Sequence, residues 1–205
     1  MDFTLLTHYI ESLYQHYPQI AQAEFVQQTE LKNFVPVIET ETARLLMVLL
    51  RLKAPRRVLE IGTSIGYSTV SMAQVVKEWR GRVISLEFDE TVAAQARRNF
   101  ARAGVADTID LVLGDARQLL PTMTERFDFI FLDAYNDIYP ELCADCVRLL
   151  NKGGLLIADD TLGPVREGEG GAASLQAYNE LIAHNPELES TLIAVGDGLT
   201  FAVKK

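Results

Sequence analysis

Six carboxylates in this chain stand within short apolar runs or at their ends: Glu60 in RVLEI, Glu87 after RVISL, Asp115 after LVLG, Asp133 after FIFL, and Asp159 and Asp160 after GLLIA. Continuous apolar runs of this length read as buried parallel strands. Ligands of open α/β sheets bind in the crevice outside the carboxyl ends of such strands. Acids placed there can accept hydrogen bonds from ligand hydroxyls, offset a ligand's positive charge, or hold a cation.

The turn after the first run narrows the ligand. Gly62 and Gly66 allow a sharp turn and close approach of a ligand, and Ser64 to Thr69 opens a helix whose free N–H groups face the space above the strand. The pattern is Glu-x-Gly-x-x-x-Gly, not the Gly-x-Gly-x-x-Gly of a pyrophosphate site. Glu60 would repel a pyrophosphate and suits a ligand with a cationic end, such as the ammonium and sulfonium of S-adenosylmethionine. Glu87, 25 residues beyond Gly62, is placed to accept from a ribose diol. Asp115 can accept from an adenine amino group beside the Ala116 N–H, or can close an Asx turn at a helix start. Asp133, Asp159 and Asp160 end neighbouring strands, because short crossovers join adjacent parallel strands. Three such carboxylates repel one another unless a cation intervenes, and all-oxygen donors suit Mg²⁺, Mn²⁺ or Ca²⁺. Any one of them could instead cap a loop or helix.

The elements that must hold these acids alternate. Strands are expected at Arg57–Ile61, Arg82–Glu87, Thr108–Leu113, Phe127–Asp133 and Gly154–Ala158. Helices are expected from Ser64 to about Trp79, over Glu90–Ala103, Tyr139–Leu150 and, after a loop at Leu162–Gly171, over Ala173–His184. Two further strands, Thr191–Val195 and Leu199–Val203, flank Gly196-Asp197-Gly198, a hairpin signal. Glu39–Lys53 reads as a helix, and residues 1–34 as an amphipathic helical extension with Pro18 as a break. Alternation implies a parallel sheet covered on both faces. No repeat or linker divides residues 1–205, so one domain is expected.

Composition agrees with a globular chain: 48% hydrophobic and 23% charged residues, with a net charge of −9. No apolar run approaches the roughly 20 residues of a membrane span, and the acidic start makes a poor signal peptide, so a cytoplasmic location is expected. The negative charge disfavours general nucleic-acid binding. Cys143 and Cys146 fall inside a helical pattern, with no second pair to complete a zinc site, and are expected to pack.

Taken together, VLEIGTSIGYSTV, the glutamate ending the second strand, GDA, FLDAYNDIY, IADD and VGDGLTF resemble the cation-dependent O-methyltransferases, the family of the catechol and caffeoyl-CoA enzymes. The resemblance runs from about Val35 to the C-terminus. The tail HNPELESTLIAVGDGLTFAVKK is similar to a bacterial branch that methylates 5-hydroxyuridine in tRNA. The fold implied is a seven-stranded, mostly parallel Rossmann-like methyltransferase sheet with helices on both faces and a C-terminal antiparallel hairpin. The resemblance implies S-adenosylmethionine held by Val37 (through its backbone), Glu60, Gly62, Ser64, Gly66, Ser68, Glu87, Phe88, Asp115, Ala116, Asp133 and Tyr135. It implies a divalent cation on Asp133, Asp159 and Asp160 that acidifies the acceptor hydroxyl, and a homodimer. Two positions depart from the family pattern: Asp160 replaces the usual asparagine, and Asn136 the usual lysine, whose basic role an amide cannot fill. The site is thereby about two charges more negative. The expected activity is methylation of a hydroxyl on a small aromatic or related metabolite. Methylation of tRNA is the second reading, and a cofactor-binding protein without catalysis the third.

Overall fold

The structure, a computed structural model, describes residues 9–10, 12–14, 21–165 and 171–205. Much of the helical extension expected over residues 1–34, Pro18 included, and the centre of the Leu162–Gly171 loop fall outside the described residues.

Seven strands form one sheet in the order β3-β2-β1-β4-β5-β7-β6. The parallel part comprises β1 (Arg57–Ile61), β2 (Arg82–Glu87), β3 (Ile109–Leu113), β4 (Phe127–Leu132) and β5 (Leu150–Ala158). β7 (Leu199–Lys204) runs antiparallel to β5, and β6 (Leu188–Ile193) antiparallel to β7. The central strands are dry on both sides because successive side chains enter different cores. Val58, Phe129, Phe131 and Ile157 face one core, and Leu59, Ile130, Leu132 and Leu156 the other.

Helices α1 (Gln22–Gln27), α2 (Thr40–Lys53), α3 (Tyr67–Val76) and α4 (Glu90–Arg102) supply the first core, with Phe25 tilted against Tyr67 at 5.2 Å. The short α5 (Ala116–Leu119), α6 (Tyr139–Leu149) and α7 (Ala172–Ala183) supply the second. Cys143 and Cys146 are free thiols buried in it. Burial pushes both thiols up, Cys143 to about 11, so both pack as inert side chains. Among the described residues no helix is long and apolar enough to cross a membrane.

Boundaries shift where turn chemistry overrides the apolar pattern. β6 spans Leu188–Ile193 and not Thr191–Val195, because Ile193 pairs with Leu199 and the Gly198 N–H donates to the Val195 carbonyl. The residues between them make the turn. β5 begins at Leu150, directly out of α6, because Leu150 pairs with Phe127 before the register slips between Phe127 and Phe129.

Candidate functional site

The carboxyl ends of β2, β1, β4 and β5 open into one cavity of about 700 Å³, within the range of small-molecule sites. The segment from Asn33 to Glu39, leading into α2, forms a further wall, and Asp197 of the hairpin turn another.

The glycine turn is fixed from both sides. The Gly62 N–H donates to the Leu86 carbonyl and the Asp133 N–H to the Ile61 carbonyl. A Cβ on Gly62 would lie 1.8 Å from the Asp133 carbonyl oxygen, and φ there is +99°. Glycine is therefore required for close approach of two strand ends. Ser64 takes a left-handed φ of +47°. Its N–H donates to Glu87 Oε2 at 2.8 Å and its hydroxyl to the Val35 carbonyl at 3.0 Å. Glu87 Oε1 also accepts from the Phe88 and Asp89 N–H groups. This buried carboxylate is raised by desolvation, which those hydrogen bonds oppose. Phe88 and Tyr135 flank the same end with centroids 5.8 Å apart, and are 59% and 54% exposed. Such open aromatic surface suits a planar ring.

Asp115 and Ala116 reach the cavity wall. Asp115 takes the alternative role considered from sequence: it accepts from the Arg117 N–H at the start of α5 and from the Arg117 guanidinium. That guanidinium lowers its pKa. Val37 lines the cavity, with its carbonyl accepting from Gln22 Nε2.

Across the sheet edge, Asp133, Asp159 and Asp160 line the cavity together. The Asp160 N–H donates to Asp159 Oδ1 at 2.9 Å, and Asp160 sits at φ +60°. Burial, then the neighbouring Asp160 charge, raises Asp159 to about 8. Asp133 moves the same way, through burial and the charges of Asp159 and Asp160. Two acids not anticipated from sequence, Glu39 and Asp197, stand on the same wall. Burial raises Glu39, and Asp197, Glu41 and Asp160 add to the effect. The Gly-Asp-Gly turn and the acid heading α2 were the available signals, but neither ends a parallel strand.

Four of the expected residues are placed off the cavity wall. Glu60 does not line the cavity; it is wholly buried beneath it. Its Oε1 accepts from Ser68 Oγ, and its Oε2 from Thr69 Oγ1 and Ser85 Oγ. Desolvation still raises it to about 7. Ser68 is buried with it and likewise off the wall. Gly66 also allows close packing: a Cβ there would lie 2.4 Å from Phe100 Cε1. Asn136 begins a turn of 3₁₀ helix beside Gly171 and does not line the cavity. Its buried Oδ1 has no hydrogen-bond partner among the described residues.

The fold and the strand-end cavity define an α/β enzyme of the nucleotide-binding kind. A family model described as O-methyltransferase matches residues 13–205, and the chain belongs to that family of S-adenosylmethionine-dependent enzymes. A catechol O-methyltransferase of Niastella koreensis is 30% identical, covering 99% of this chain and 98% of its own. The O-methyltransferase TomG of Streptomyces achromogenes, solved in complex with SAM, superposes with a TM-score of 0.82 at 26% identity, covering 96% of each chain. An O-methyltransferase of Bacillus cereus in complex with SAH gives 0.80 at 26% identity, covering 98% of this chain and 97% of that one.

Proposed function

We propose that this enzyme methylates a hydroxyl of a small aromatic or related metabolite, with S-adenosylmethionine and a divalent cation. The observation that carries the reading is one cavity with a fixed, buried acid and an open aromatic pair at the β2 end, and three aspartates at the ends of β4 and β5. Bound S-adenosylmethionine supplies an electrophilic methyl group. That methyl group would pass to the acceptor oxygen, leaving S-adenosylhomocysteine as the thioether, with the hydroxyl proton released to solvent. The chain's part is orientation and charge. Glu87, held by three N–H donors, accepts from the ribose hydroxyls. Phe88 and Tyr135 hold the adenine, and Gly62 and Asp133 border the methionine end.

Asp133, Asp159 and Asp160 would hold the cation. Among the described residues, no three His, Cys, Asp or Glu side chains are grouped closely enough as placed to hold a metal ion. The donors nonetheless fit in chemistry: they are hard oxygens, and burial, with their mutual repulsion second, keeps Asp133 and Asp159 raised. Such an ion would lower the pKa of the acceptor hydroxyl. The additional acids Glu39 and Asp197 make this wall hostile to anions, which weighs against tRNA and favours neutral or cationic acceptors.

Titration calorimetry on metal-stripped protein tests the reading. Wild type is expected to bind S-adenosylmethionine, and Glu87→Ala to bind at least about tenfold more weakly. No cofactor binding by wild type would reject the proposal. The charge argument has its own test. Asn136→Lys with Asp160→Asn is expected to weaken Mn²⁺ affinity about tenfold, because the local charge becomes about two units less negative. Unchanged metal affinity would refute it.

A further inference from the structure

Seven consecutive residues, 33–39, line the cavity, yet they form neither helix nor strand. Such a segment keeps its place only where its polar groups are bonded to something rigid. Its C-terminal end runs directly into α2. There Gln22 donates from its side chain to the Val37 carbonyl and from its N–H to Thr40 Oγ1. The approach to its other end, residues 28–31, is fastened to α4.

Gln95, Arg98, Asn99 and Arg102 recur at helical spacing along α4, so they share one face. Gln95 Oε1 accepts from the Leu31 N–H at 3.2 Å and from Arg98 at 2.6 Å. Gln95 Nε2 donates to Asn99 Oδ1. Asn99 Nδ2 donates twice, to Thr29 Oγ1 at 3.2 Å and to the Ile65 carbonyl at 2.9 Å. Because that carbonyl can only accept, the amide nitrogen must face it. Arg102 donates to the Gln28 carbonyl. Thr29, Gln95 and Asn99 are all buried, and a buried amide left unpaired costs more than its bonds gain.

Ile65 gives this network its meaning. It lies in the turn between β1 and α3, next to Ser64, whose hydroxyl donates to the Val35 carbonyl within the irregular segment. The contacts therefore close a ring. They run from Asn99 to Thr29, along the chain to Val35, across to Ser64, and back through Ile65 to Asn99. The segment meets the turn at a solvent-exposed hydrogen bond, and the buried amides hold both sides of that bond from behind.

We propose that Gln95 and Asn99 are positioning residues: a buried amide pair on α4 that moors the outer wall of the cavity to the glycine turn and so sets how long the cofactor is retained. The inference rests on the cofactor reading above. Neither residue lines the cavity; both act through what they hold. A wall already ordered before binding leaves less ordering to be done when the ligand arrives. Without the mooring, the wall opens more often, and a change of that kind appears mainly in the dissociation rate.

The experiment uses residues that stand away from the cavity. Release of S-adenosylmethionine is followed by stopped flow for Gln95→Leu, Thr29→Val and Thr29→Ser, with amide hydrogen exchange on the cofactor-free proteins. Gln95→Leu and Thr29→Val are each expected to speed release about tenfold. Exchange should quicken over residues 29–39 while β1 and β4 exchange as in wild type. Thr29→Ser, which keeps the hydroxyl, is expected to release within about twofold of wild type. Folded Gln95→Leu and Thr29→Val that release like wild type overturn the proposal. So does exchange that quickens equally in β1, β4 and the segment, the mark of a merely structural role. Should Gln95→Leu fail to fold, the position 29 pair decides: equal release by the valine and serine variants rejects the mooring. Failure of wild type to bind S-adenosylmethionine would reject the cofactor reading instead, and the exchange pattern would still decide whether the amide pair moors the wall.

Discussion

Alanine at position 62 is expected to destabilise the enzyme by at least about 3 kcal/mol and to abolish cofactor binding in whatever fraction folds. The clash is with backbone: the new Cβ would lie 1.8 Å from the Asp133 carbonyl oxygen and 2.6 Å from its carbon. Neither strand end can yield cheaply. The Gly62 N–H is bonded to Leu86 and the Asp133 N–H to Ile61, so separating them breaks the ladder that brings Glu87 and Asp133 to one cavity. Gly104 provides the control. It has φ +65° but nothing within 4 Å of its would-be Cβ, so Gly104→Ala meets only the left-handed penalty of about 1–2 kcal/mol. Urea denaturation of the two variants measures the difference. Equal losses would mean that the β1 and β4 ends part freely, and that the turn does not depend on their contact.

The second large effect concerns pH. The Asp159 pKa rises from 3.8 to about 8 on folding, chiefly through burial and then through Asp160. A carboxyl raised in the folded state contributes its full stability below the unfolded pKa. That contribution falls away as pH climbs toward the folded value. Metal-free enzyme is therefore expected to lose stability steadily between about pH 4 and pH 8, with Asp133 acting in the same direction. Asp159→Asn should flatten this slope and melt higher than wild type at pH 8. On the proposed metal reading, Mn²⁺ binds the ionised carboxylates and stabilises wild type more as pH rises, while Asp159→Asn loses that response. Calorimetric melting at pH 5 and pH 8, with and without Mn²⁺, separates the effects. Parallel melting curves for the two proteins across pH, without metal, would show that Asp159 does not retain its proton.

What the sequence could reveal was set by how local the cause is. The strand carrying Asp133 is legible because FDFIFL is buried on both faces, and a buried run ending in an acid has few readings. Glu87 is legible for the same reason. Glu60 is not: its partner Ser85 lies 25 residues away on a neighbouring strand, and nothing local says whether a buried acid meets a ligand or a hydroxyl. Gly66 shows what glycine spacing leaves out, because its close neighbour Phe100 lies on α4, 34 residues away. Glu39 and Asp197 were missed because they meet the cavity from a helix start and a hairpin turn, where side-chain direction depends on tertiary packing. The motif gives Asn136 a position in sequence but not its direction, and the turn after Tyr135 places it beside Gly171.

The placement of β7 bears on how the enzyme is made. β7 follows β6 in the chain but lies inside it, hydrogen-bonded to β5 on one side and to β6 on the other. On a ribosome, β6 emerges first and has no place on the sheet until β7 is paired with β5. During that interval the edge of β5 is open, and an open edge is a template for misassembly with other chains. The same insertion brings the turn bearing Asp197 against Glu39 and Thr42 at the start of α2. The acidic wall of the cavity is thus closed by a turn that follows β6 in the chain, and a polypeptide that has not yet extended past β6 lacks it.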